Sequence, residues 1–233
     1  MKFGLVSDVH GNPFALKLIL EVLSELPVEK IFFLGDAVGY IPGEQEVFRI
    51  LEQYDVTCQM GNHEYMLLHS NEVPAEKEDV YRLQPVLNRI SNKQLGIIRA
   101  WPKKRVVEMS GRKLLFVHGG PEDVLDQRVL PDSDFARMVP LEFDGVFMGH
   151  THRPFIHQHG SKLFVNIGSV GLPRDNGSLI SCAVYDSAAH HCEILRVRYD
   201  WTLVENAYGT ELHDSVRQLF KREEPDVYGT IVT

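Results

Sequence analysis

At 233 residues with 44% hydrophobic content, the chain suits one domain and is long enough to bury a sizeable core. Its formal charge of −8 at pH 7 argues against broad binding to nucleic acid, which depends on clustered cations neutralising phosphates. A small anionic substrate stays open, provided bound metal supplies the local positive charge.

Taken in order, the chain opens with "MKFGLVSDVHGN", a strand-like run that turns polar at Ser7. That pattern does not fit a signal peptide, and no apolar run approaches the ~20 residues that a membrane span needs. "PFALKLILEVLSEL" then places Leu16, Ile19, Leu20 and Leu23 on one helical face, with Pro13 suited to the first turn. "KIFFL" reads as a second strand, and "GEQEVFRILEQY" as a second helix with Val47, Ile50, Leu51 and Tyr54 inward. After the strand-like "VTCQM", residues 65–105 are helical in composition and predict a helical excursion without strands. Strand-like runs return as "KLLFV", "GVFM", "KLFVNI", "ISCAVYD" and "HCEILRVRYD", and the tail from Trp201 predicts a helix around Val204–Phe220. Early β-α-β alternation followed by late strands predicts an α/β sandwich with mixed sheets. Cys58, Cys182 and Cys192 lie far apart with no Cys-x-x-Cys pair, which is neither a disulfide framework nor a thiolate zinc site. A reducing cytoplasm is the expected setting.

Chemistry-bearing residues cluster directly after the apolar runs. "FGLV" leads into Asp8 and His10, "IFFL" into Asp36, "VTCQM" into Asn62, His63 and Glu64, "LLFV" into His118, and "GVFM" into His150 and His152. In open α/β sheets the carboxyl ends of strands are where ligands bind, and glycine there lets backbone approach a ligand. Asp8 and His10, like His150 and His152, are expected to point the same way from extended backbone at spacing two. Singly, each residue has a bland reading: His118 as a hydrogen-bonded core histidine, Asp8 or Asp36 as a helix cap, "GNHE" as a turn. Five such residues or pairs, each after its own strand, instead predict one convergent site. Oxygen and imidazole donors of this kind suit manganese, iron, zinc or nickel rather than a soft copper site. His69, His157, His159, His190, His191 and His213 read as solvated or structural.

The ordered set "SDVHGN", "GDAVGY", "GNHE", "VHGG" and "GHTH" resembles the calcineurin-like metallophosphoesterase superfamily, and "GHTHRP" with "NIGSVGLPRD" is similar to its small bacterial phosphodiesterase-like branch. The resemblance covers about residues 1–200 and implies a four-layer α-β-β-α sandwich with two mixed sheets. It implies that Asp8, His10, Asp36 and His152 hold one divalent ion while Asp36, Asn62, His118 and His150 hold a second, with Asn12 close by. Two such cations grip a phosphoryl group and acidify a shared water, so that a metal-bridging hydroxide attacks in line. His63 becomes the candidate general acid, oriented by Glu64 or Asp8, and no serine nucleophile is needed.

The expected activity is therefore hydrolysis of a small phosphodiester, nucleotide or dinucleoside polyphosphate. An alternative is a protein-interaction scaffold on the same fold, but its expected sign is lost ligands, and here each position is filled. One departure bears on substrate: relatives acting on phosphoproteins read Gly-Asp-x-x-Asp-Arg where this chain has "GDAVGY", so Gly39 and Tyr40 replace the acidic-basic pair. Arg174 is the motif-linked candidate for phosphate recognition, unless it only pairs with Asp175, and the Tyr40 ring is expected to be available for stacking.

Overall fold

In a computed structural model, which describes residues 1–70, 73–138 and 142–232, the chain forms two mixed β-sheets stacked face to face. The first sheet starts with β1 (Lys2–Val6), β2 (Lys30–Phe33) and β3 (Thr57–Cys58), which run parallel and are joined by α1 (Pro13–Ser24) and α2 (Glu44–Gln53). Period-two alternation sorts their side chains. Phe3, Leu5, Phe32 and Leu34 enter the layer between the sheets, while Val6, Ile31 and Phe33 pack under the helices. In α1 Leu16, Ile19, Leu20 and Leu23 are fully buried, Pro13 starts the helix, and the Asn12 side chain caps it by accepting from the Ala15 N–H at 3.1 Å.

After β3 come four short helices: α3 (Asn62–Leu68), α4 (Ala75–Tyr81), α5 (Leu83–Arg89) and α6 (Asn92–Ala100). The helical excursion is present, although Asn71 and Glu72 lie outside the described residues, and strand β4 (Lys104–Met109) begins just inside its expected end. The second sheet has the order β4–β5–β6–β8–β7, with β5 (Arg112–Val117), β6 (Gly145–Met148), β7 (Phe155–His159) and β8 (Lys162–Asn166). Leu114 and Phe116 of β5 face the first sheet, where the Phe116 ring meets Phe32 at 5.0 Å. Truncating a ring buried this way costs about 3–5 kcal/mol. Leu115 and Val117 point outward, to be covered among the described residues by loop residues such as Val129 and by a single 3-10 turn at Phe135–Arg137.

The chain returns to the first sheet through β9 (Leu179–Asp186) and β10 (His191–Arg198). In place of one tail helix there are α7 (Thr202–Tyr208) and α8 (Asp214–Phe220), separated by a 3-10 turn at Gly209–Glu211 where His213 caps α8. A last strand, β11 (Thr230–Val232), lies parallel to β10 at the sheet edge. This tail also clasps the segment after His152. Arg153 binds Glu224 with two hydrogen bonds of 2.7 and 2.6 Å, Arg222 donates to the Arg174 carbonyl, and buried Arg196 grips Asp175. Among the described residues no helix is long and apolar enough to cross a membrane.

Candidate metal centre

Because β1, β2 and β3 are parallel in one sheet and β5 and β6 in the other, their carboxyl ends open toward common ground. The backbone there is not the expected extended form. Asp8, His10, Asp36, His150 and His152 all adopt left-handed conformations, with φ between 50° and 66°. A non-glycine residue held this way costs on the order of 1–3 kcal/mol, so the surrounding hydrogen bonds must over-determine it. They do: the N–H groups of Asp8, His10 and Gly11 donate to the carbonyls of Gly35, Asp36 and Ala37, lacing the first loop to the second. Gly149 lets the third approach, since a Cβ there would lie 2.4 Å from an Asp8 carboxylate oxygen.

The ligand atoms converge in three overlapping groups, Asp8–His10–His152, His10–Asp36–His63 and Asp8–Asp36–His118, each with its atoms within 4.8 Å of one another. Oδ2 of Asp36 sits among imidazoles, 3.2 Å from Nε2 of His118, 3.7 Å from that of His10 and 4.0 Å from that of His63. Oδ1 of Asp8 lies 3.2 Å from Nε2 of His152, and both Asp8 oxygens accept from the His150 backbone N–H. Asn62 Oδ1 joins the remaining pair, at 2.9 Å from His118 Nε2 and 3.2 Å from His150 Nδ1. All seven residues expected to hold metal are thus brought together.

Ring orientation shows what the cluster is suited to hold. Nδ1 of His10, His118 and His152 each faces a backbone carbonyl, of Val38, Leu34 and Leu172 respectively. A carbonyl only accepts, so each Nδ1 carries the proton and leaves Nε2 for the cluster. Burial holds His152 down to about 4, so that ring is neutral, and lowers His150 and His63 also. Burial opposes charge on His118 too, but the Asp36 and then the Asp8 carboxylate push it up to about 9. Nε2 of His10 and Nε2 of His152 stand 3.0 Å apart, aimed at one point beside the buried Asp8 carboxylate. Among the described residues no Lys or Arg pairs with Asp8 or Asp36. Buried carboxylates need a paired cation or a metal, and this donor set fits divalent metal.

His63 is 2% exposed and wedged between the Tyr40 ring, stacked at 5.0 Å, and the Tyr81 ring at 4.5 Å. Its Nδ1 has no hydrogen-bond partner among the described residues. The expected orienting role of Glu64 is corrected: its carboxylate accepts the N–H groups of Asp36, Ala37, Val38 and Gly61 and so ties two ligand loops together. Burial, and then the Asp36 carboxylate, push Glu64 up to about 7. Asp8 is likewise occupied elsewhere, leaving packing to set the His63 ring. Tyr40 is 5% exposed with its ring against His63 and His10, so it offers no free face for stacking a substrate. Asn12 is spent on structure, donating to the Gly171 carbonyl and accepting from the Tyr199 hydroxyl besides capping α1.

Arg174 does not pair with Asp175, whose oxygens are taken by Arg196. The partly exposed Arg174 side chain has no hydrogen-bond or ion-pair partner among the described residues, and its charge is felt by both Tyr40 and His152. Asp126 had no sequence signal, standing in a loop rather than after a strand; its carboxylate lies 3.6 Å from the outer nitrogen of His150.

Residues 1–189 match the family described as the calcineurin-like phosphoesterase superfamily domain. An uncharacterized protein of Methanocaldococcus jannaschii is 28% identical over 222 residues, 88% of this chain and 89% of its own. In fold, the chain is similar to a hypothetical protein of Pyrococcus horikoshii OT3, with a TM-score of 0.84 at 20% identity over 97% of this chain and 99% of the other. A metallophosphoesterase from Sphaerobacter thermophilus aligns with a TM-score of 0.78 at 22% identity over 95% and 99%. By its sequence match over residues 1–189, and consistently with its fold, the chain belongs to the calcineurin-like phosphoesterase superfamily.

Proposed function

We propose that the chain is a metal-dependent phosphoesterase acting on a small phosphodiester, nucleotide or dinucleoside polyphosphate. The observation that carries this reading is the convergence of imidazole nitrogens on two buried carboxylates, with the His10 and His152 nitrogens 3.0 Å apart. Asp8, His10, Asp36 and His152 would hold one divalent ion; Asp36, Asn62, His118 and His150 a second. The position of Asp36 Oδ2 among His10, His63 and His118 supports its sharing between them. When bound, the ions acidify a water molecule and neutralise charge on the phosphoryl oxygens.

The chain's own groups supply the rest. Carbonyls of Val38, Leu34 and Leu172 hold three imidazoles in the ligating tautomer. His63, fixed by Tyr40 and Tyr81, acts from its imidazolium form, which the nearby Asp36 carboxylate favours against burial, and passes its Nε2 proton to the departing oxygen. Arg174 receives phosphate oxygens on the His152 flank through its planar guanidinium.

Loaded with Mn²⁺, Fe²⁺, Ni²⁺ or Zn²⁺, the purified chain is expected to hydrolyse aryl phosphodiesters and a dinucleoside polyphosphate. Arg174→Ala should lower kcat/KM for the polyphosphate much more than for a nitrophenyl diester, with bound metal unchanged. Equal losses on both would return Arg174 to a structural role. A metal-replete chain inert toward every phosphoester tried would overturn the reading itself and favour the scaffold.

A further inference from the structure

Beside the cluster, on the flank of Asn62 and His150, a cavity of about 440 Å³ runs along α3. That is within the ~300–1,000 Å³ usual for small-molecule sites. Asn62, Tyr65 and Met66 line it because residues three and four apart share one face of a helix. The same helix therefore carries a candidate metal ligand at its first residue and a cavity wall one turn later. Asp126, which faces the outer nitrogen of His150, also lines it, so the cavity and the cluster share a boundary.

Its lining carries two lysines and two aspartates, and among the described residues they do not form ion pairs with one another. Lys77, near the start of α4, and Lys103, just before β4, are exposed at the wall, and among the described residues neither pairs with a carboxylate. Lys103 Nζ instead lies 4.3 Å above the Tyr65 ring, whose plane also stacks on His69 at 4.2 Å. That contact restrains a flexible side chain while leaving its ammonium hydrogens free. The two acids are turned to other partners, Asp123 accepting from the Leu125 and Asp126 N–H groups and Asp126 facing His150, so neither carboxylate sits on a lysine. A polar mouth with two lysines free of ion pairs among the described residues, above a partly apolar wall of Met66 and Val73, fits an anionic group joined to an organic body.

We propose that this cavity binds the substituent of the reacting phosphate that lies toward Asn62 and His150, and that this substituent carries a phosphate of its own, held by Lys77 and Lys103. The inference rests on the phosphoesterase reading. It makes the helical excursion the specificity wall, choosing phosphate-bearing esters over simple ones. The cavity lies on the Asn62 flank and Arg174 on the His152 flank, so the two recognise different parts of one substrate.

The test uses Lys77→Gln with Lys103→Gln in the metal-loaded chain. The ratio of kcat/KM for a dinucleoside polyphosphate to that for bis(p-nitrophenyl) phosphate is expected to fall about tenfold or more, the scale of losing charge-assisted contacts. In parallel, the methylene-bridged analogue of ADP, which resists hydrolysis, is titrated by calorimetry into both proteins; the variant should bind it about tenfold more weakly, and added salt should narrow the gap. An unchanged ratio, or unchanged binding of the analogue, overturns the proposal. If no ester is turned over by the parent chain, the phosphoesterase reading fails and the titration alone decides the cavity.

Discussion

The buried cluster and the helical excursion over Asn62–Ala100 hold their polar groups in opposite ways. In the cluster, Asp8, His10, His118 and His152 are at most 2% exposed, and their atoms are bound by main-chain carbonyls and amides from three or four loops. In the excursion, α4 buries no residue, and Lys77, like Lys103 just beyond it, is exposed and without an ion pair among the described residues. The cluster therefore has one geometry, held despite left-handed strain at five residues, as fixed metal ligands require. The excursion is tied down by a few apolar anchors such as Leu83, Val86 and Ile98. Changes there alter what is bound at little cost to what holds the fold. On the proposed reading, chemistry and selectivity are separable because one rests on the sheets and the other on short helices beside them.

That separation can be broken first at Asp36. Asp36→Asn should lose metal and lower turnover by on the order of 10³-fold, the scale of removing a main electrostatic element from an active site. Elemental analysis beside a diester assay checks it, and full metal occupancy in the variant would remove Asp36 from its central place. Next in size is His63→Ala. It should keep its metal yet slow esters with poor leaving groups by roughly 10²–10⁴-fold while affecting nitrophenyl esters much less. Loss of metal in this variant would make His63 a ligand, a role that its place in the His10–Asp36–His63 group allows.

A smaller effect is expected at Gly39, where the excursion and the cluster meet. Its φ is +92°, and a Cβ there would fall 2.4 Å from His63 Nδ1 and 3.2 Å from the Tyr81 carbonyl. Gly39→Ala should cost roughly 1–3 kcal/mol in stability and displace the His63 ring, with poor leaving groups again hit hardest. Thermal unfolding and a leaving-group series read the two effects separately. Smallest is Glu224→Ala in the tail. Its pair with Arg153 is about one-third exposed on each side, so stability should fall by at most about 1 kcal/mol. The neighbouring Arg174 segment loosens slightly, and KM for a polyphosphate should rise while metal content stays constant.

The cluster was legible because each of its members stands within four residues of a strand-like apolar run, and strand ends converge whatever the details of the turn. The turns themselves were not legible, since nothing in Asp8 or His150 marks a left-handed backbone, a conformation better suited to glycine. The edge strands β4 and β7 escaped for a physical reason. β4 alternates exposed with half-buried residues, and β7 ends in exposed Gln158 and His159, so neither shows the continuous apolar run of a buried strand. β11 has three residues and exists through pairing with β10. Tyr40 was read as a substrate contact because it replaces a charged residue in its motif. Its burial against His63 depends on Tyr81, which is distant in sequence. Asp126 and the two lysines lie in segments whose nearness to the cluster only the folded chain reveals.

If the buried cluster is a divalent-metal site on which phosphoester hydrolysis depends, bound metal and turnover must move together. The most direct measurement follows bound metal per chain and aryl diester turnover together, through chelation and then stepwise return of Mn²⁺. Turnover that vanishes with the metal and returns in proportion to its rebinding is the predicted result. Undiminished turnover in the metal-free chain would contradict it.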